Sequence, residues 1–188
     1  MRFDRRPAWR YYPQPDRPRS ELRQLIAAME ALGPWLELDW WLREKTDTTA
    51  ITRALEQHLP VPEGPAAGFT NLARGWNLET REKYPKMPFL YDEGDVSLQS
   101  VQPDAVHVDD DDQLTLVEIE GGGALTNYRG MKDIVEALLL PSVSYVALVV
   151  PFVAHHTRPY DYYNNLVSSL YAQQVVQGHL SGLLVLGY

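Results

Sequence analysis

Two alternating runs joined by an acidic turn, followed by a glycine-rich link into a helix, constrain this chain more than any other feature. The stretch is Val101 to Leu140: VQPDAVHV, then DDDD at 109–112, then QLTLVEIE, GGG and ALTNYRGMKDIVEALLL. Period-two alternation of aliphatic and β-branched residues predicts strands, and the four-aspartate turn between them predicts an antiparallel pair. After Gly123 the apolar spacing changes to that of a helix, predicted over 127–140.

Glu118 and Glu120 are two positions apart on the second run, so both side chains leave the same face of the sheet. Val117 and Ile119 point the other way, into a core. Asp104 opens the first run. In an antiparallel pair, the start of one strand lies beside the end of the next, so the three carboxylates are expected together. Like charges at a half-buried sheet end repel unless a cation offsets them, and a hard divalent ion with oxygen ligands does so. Mg2+ is the expected ion, with Mn2+ able to replace it. The rival reading is three solvated acids at a sheet rim. His107 is three positions from Asp104 and is expected to face away.

Gly121, Gly122 and Gly123 permit close backbone approach and positive φ. Lying ahead of a helix N-terminus, they and Asn127 are candidates for holding a phosphate. The same glycines also suit a tight strand-to-helix turn. Thr126 or Asn127 is expected to cap the helix. No Gly-Lys-Ser/Thr follows, so this is not a P-loop. The DDDD run lacks the alternating ligands and central glycine of a calcium loop and reads as a solvated turn. His155 and His156 are adjacent, face opposite ways on a strand, and do not suggest zinc.

Residues 1–19 hold four prolines among arginines and aromatics, which predicts an extended arm, read as a strap packed by Trp9, Tyr11 and Tyr12. A helix is predicted from Ser20, stopped at Gly33-Pro34. WLELDWWL then reads as either a strand or a short helix. A second helix is expected from Asp47 or Thr48 to Leu59. Strands follow at Trp76–Tyr84, near Phe89–Tyr91, and from a turn at 92–95 through His107. SYVALVVP reads as a fully buried strand, Tyr160–Gln177 as a helix and GLLVLGY as a closing strand. Hairpins first and crossover helices after imply an α/β fold with a central mixed sheet flanked by helices. The expected division is an arm, 1–19, and one domain, 20–188, with its core over about 76–188.

The 188 residues contain no cysteine, which excludes thiolate metal sites and disulfides. No apolar run is long enough for a bilayer, and the N-terminus lacks the apolar segment of a secretory signal, so a cytoplasmic protein is expected. Net charge is −8. Residues 1–23 hold seven arginines against three acids, leaving −12 on the remainder. That balance opposes nucleic-acid binding, which draws affinity from phosphate neutralisation. The basic arm and a bound divalent ion would offset it.

Pro103-Asp104, then a strand ending Glu118-Ile119-Glu120, then a helix, resembles the PD-(D/E)XK nuclease superfamily. Gly75-Trp76 followed by Glu79, together with YVALVVP and LLVLGY, extends the resemblance over about residues 76–188. It implies a restriction-endonuclease-like fold and Mg2+-dependent hydrolysis of DNA. Asp104 and Glu118 would bind the metal, and Glu120 would hold or deprotonate the attacking water. The sequence departs at the third motif position, where Glu120 replaces the usual lysine, as in one group of type II restriction endonucleases. Lys132 on the following helix is a candidate replacement, or else a surface lysine paired with Asp133 or Glu136. The superfamily often adds an acid from an earlier helix. Glu56 is that candidate, or a solvated helix residue. A homodimer is expected, since such enzymes cut two strands. Two rival functions remain: a catalytically silent module of the same fold that binds nucleic acid or protein, and an acid-cluster hydrolase of RNA.

Overall fold

The computed structural model describes residues 7–14, 16–43, 48–61, 72–79, 87–91, 97–154 and 156–188. In chain order the elements are β1 (Ala8–Tyr12), α1 (Ser20–Arg43), α2 (Thr48–Leu55), β2 (Gly75–Leu78), β3 (Met87–Tyr91), β4 (Ser97–Val101), β5 (Ala105–Val108) and β6 (Leu114–Ile119). Then come α3 (Arg129–Leu138), β7 (Val143–Val150), α4 (Pro159–Ala172) and β8 (Gly182–Gly187). Six strands form one mixed sheet in the order β1-β8-β7-β6-β5-β2, while β3 and β4 pair separately. β6, β7 and β8 run parallel, linked by α3 and α4, as parallel neighbours require. β5 and β2 continue the sheet antiparallel on one side, and β1 closes the other against β8.

Parity along the strands divides the core in two. Val106, Val108, Leu114, Leu116, Leu148 and Val185 pack with Ile134 of α3 and Tyr163 and Val167 of α4. Ala105, Val117, Ile119, Val149 and Leu186 pack on the opposite face with α1, α2 and Trp76. β7 and β8 are buried on both faces, which explains why their sequences read as continuous apolar runs rather than alternating ones. Among the described residues no helix is long and apolar enough to cross a membrane.

Several local expectations are corrected. The first helix does not stop at Gly33-Pro34 but runs to Arg43, so the undecided WLELDWWL is helical. Its buried stripe of Leu22, Leu25, Met29 and Leu32 continues to Leu36, and that burial outweighs the missing proline N–H. The arm packs on the domain as a strap, but as a strand of the sheet. Residues 8–12 pair with β8, burying Tyr11 and Tyr12, while Trp9 is exposed rather than packed. The strand expected through His107 is broken at Gln102–Asp104, with β4 in the hairpin and β5 in the main sheet. The second helix ends at Leu55 and the last at Ala172, short of Leu59 and Gln177. Described β2 ends at Leu78; the rest of the expected strand, from Thr80, and the turn at 92–95 lie outside the described residues.

Gly130 shows how tightly the face bearing α3 is built. A Cβ there would lie 2.7–2.8 Å from the Tyr163 ring and hydroxyl, which are fully buried. Gly130→Ala is therefore expected to destabilise the fold by about 1–3 kcal/mol, read by urea denaturation, although alanine is the better helix former.

Candidate functional site

The site lies where β5 begins and β6 ends. Ala105 pairs with Val117, which sets Asp104 beside the Glu118 end of β6. The contact is direct: the Ile119 N–H donates to Asp104 Oδ2 at 2.6 Å. Asp104, Glu118 and Glu120 share parity with the α3-facing core residues Val106, Leu114 and Leu116, so all three belong to that face. His107 has the opposite parity and meets Trp76 edge-on at 5.1 Å, on the α1 side, as expected.

These acids are not solvated rim residues. Glu120 is 8% exposed. Burial drives the Asp104 carboxyl up to about 7, opposed by its bond from Ile119 N–H and reinforced by a hydrogen bond and charge repulsion with Glu79 and by Glu120. Glu118 lies well above its ordinary value through burial, followed by repulsion from Asp133, Asp104, Glu136 and Glu120. Glu120 is also raised by burial, while a hydrogen bond with Asp133 and the charges of Arg129 and Lys132 pull it back. Asp133 is pushed up to about 7 by burial, then by the charge of Glu120 and the hydrogen bond between the two side chains.

The structure thus adds three acids not predicted for the site. Glu79 follows β2, and its N–H donates to the Asp104 carbonyl at 2.8 Å, which ties it to the site. Asp133 and Glu136 come from α3, an amphipathic helix whose buried residues are Gly130, Ile134 and Ala137. Only their helical spacing after the strand carried any signal.

Among the described residues no three acids or imidazoles already stand in the spacing of a finished metal shell. They are held instead as two hydrogen-bonded pairs of acidic side chains, Asp104 with Glu79 and Glu120 with Asp133. Asp133 Oδ2 is buried with no hydrogen-bond partner, and no ion pair neutralises Glu118 among the described residues. Carboxylate oxygens of this kind are the donors a hard divalent cation takes.

The other candidates are less central. Lys132 is paired with Glu136 at 2.8 Å and its side chain is 67% exposed, the surface alternative, although its charge still acts on Glu118 and Glu120. Glu56 is exposed in the turn after α2 and is not among the charges that chiefly shift Asp104, Glu118 or Glu120. Gly121, Gly122 and Gly123 form consecutive tight turns, with Ala124 N–H bonded to the Gly121 carbonyl and Thr126 N–H to the Gly123 carbonyl. None of the three has positive φ; that conformation falls on Tyr128, at φ 54°. Neither Thr126 nor Asn127 caps α3. Both lie in a short 3-10 turn before it, Tyr128 is the residue preceding the helix, and no side chain caps it. The Asn127 side chain lies outside the described residues.

Two tyrosines brace this end of the sheet. Tyr188 donates to the Glu120 carbonyl at 2.7 Å. Tyr163 donates to the Ala124 carbonyl at 2.6 Å and accepts from Gly130 N–H at 3.1 Å. The backbone carrying the acids is therefore fixed before any ligand arrives. The chain matches no family model, no curated protein and no solved structure.

Proposed function

We propose that this protein is a divalent-cation-dependent nuclease that hydrolyses phosphodiester bonds in DNA, on a restriction-endonuclease-like fold. The observation that carries the reading is Glu118: burial and the charges of Asp133, Asp104, Glu136 and Glu120 hold it well above its ordinary value, and among the described residues no base forms an ion pair with it. A chain gains nothing in stability from crowding carboxylates in this way, so a cation is the economical reason for the cluster. The strand order, with a parallel β6-β7-β8 unit beside an antiparallel hairpin carrying Asp104, agrees with the resemblance of the motif.

Asp104 and Glu118 would hold the ion. When bound, the cation supplies positive charge toward the phosphate and acidifies a water molecule. Glu120 would accept a proton from the attacking water, and its hydrogen bond with Asp133 would orient its carboxyl group. Asp104 is oriented by Ile119 N–H, so neither group needs a lysine to fix its direction.

Protons and the cation compete for the same oxygens. With Asp104 and Asp133 near 7, cation binding must displace protons at neutral pH. Mg2+ titration by calorimetry is expected to show affinity rising from about pH 6 to about pH 8, with proton release scaling with buffer ionisation enthalpy. Glu118→Gln should abolish saturable binding. Plasmid nicking in Mg2+ but not in EDTA tests the activity, and equal cleavage of RNA would move the substrate class. Saturable cation binding without any cleavage would favour the silent-module alternative.

A further inference from the structure

The glycine turn after Glu120 lies under a cationic side chain. Arg129 opens α3, and its guanidinium rests over the turn. Nη1 and Cζ lie 3.8 and 3.9 Å from where a Cβ on Gly123 would sit. Arg129 is exposed, and among the described residues no carboxylate forms an ion pair with it. Lys132, one turn on, is already engaged by Glu136. Tyr163 clamps the backbone on both sides of Arg129, through Ala124 and Gly130, so the base of the side chain is held in place. Its charge is felt at Glu120.

A phosphodiester approaching this many carboxylates on a chain of net charge −8 needs a positive contact. A guanidinium fork matches two phosphate oxygens better than an ammonium does. We propose that Arg129 grips the phosphodiester backbone of a nucleic-acid strand at the mouth of the acid site. The inference rests on the nuclease reading for what happens to that strand, but the contact can be measured without cleavage.

The test uses the full chain and a short fluorescein-labelled DNA duplex, with Ca2+ replacing Mg2+, and follows anisotropy across a salt series. Arg129→Ala is expected to weaken binding roughly tenfold at low salt and to reduce the slope of log affinity against log salt by about 0.9. A purely structural role would leave that slope unchanged. Arg129→Lys should keep the slope while losing part of the affinity, and Lys132→Ala should move the slope less than half as far. A wild-type slope in Arg129→Ala, or a wild-type protein that does not bind the duplex, overturns the proposal. Mg2+-dependent nicking combined with an unchanged slope would sink the arginine contact and leave the nuclease reading standing. A reduced slope in a protein that binds but never cuts would do the reverse.

Discussion

Asp104→Asn is expected to lower Mg2+-dependent cleavage on the order of a thousandfold, about 4 kcal/mol of transition-state stabilisation, while the protein stays folded. Asparagine is chosen for a structural reason. Asp104 Oδ2 accepts the Ile119 N–H at 2.6 Å, and alanine would leave that donor without its partner, at about 1–3 kcal/mol. An amide oxygen keeps the bond, and the amide N–H can donate to the Glu79 side chain, which is hydrogen-bonded to Asp104. The substitution removes negative charge and little else. Gel-based plasmid nicking, beside a thermal melt of each protein, checks both halves. Cleavage within tenfold of wild type would show that Asp104 holds nothing the reaction needs.

The second large effect concerns the protein without a cation. In EDTA its melting temperature is expected to fall as pH rises from about 5 to about 8, against the usual behaviour of carboxylate-stabilised proteins. Asp104 and Asp133 sit near 7 when folded, and Glu118 lies well above its ordinary value; all return to the ordinary carboxylate range on unfolding. Between about pH 4 and pH 7 the folded chain therefore binds more protons than the unfolded one. Stability is full below the unfolded values and is lost as pH climbs through the folded ones. The whole set is worth on the order of a few kcal/mol. Mg2+ should restore the loss at high pH, because it replaces the protons as the compensating charge. Glu118→Gln should raise the melting temperature in EDTA, flatten its pH dependence and abolish rescue by Mg2+. A melting temperature that rises with pH in EDTA would mean that the acids are solvated after all.

The two experiments divide the site between them: the first asks whether its charge is used, the second whether its crowding is a strain on the fold. A protein that keeps such a strain without binding a cation would fit neither expectation.

Much of this was legible in the residues. Strand parity alone placed Glu118 and Glu120 on one face, and the antiparallel turn at 109–112 placed Asp104 beside them, because side-chain direction and hairpin adjacency are local properties. The mixed sheet and its flanking helices followed from the same periodicities. Tertiary structure alone decided the rest. Glu79 and Asp133 join the acid cluster because β2 and α3 pack against the β5–β6 end, and no spacing along the chain states which helix face meets which strand. Burial of Leu36 carried α1 through Pro34 against its local signal, and pairing with β8 turned the arm into a strand. Local geometry is set by neighbours in the chain, whereas the proton affinity of a carboxyl group is set by neighbours in space and by the water they exclude.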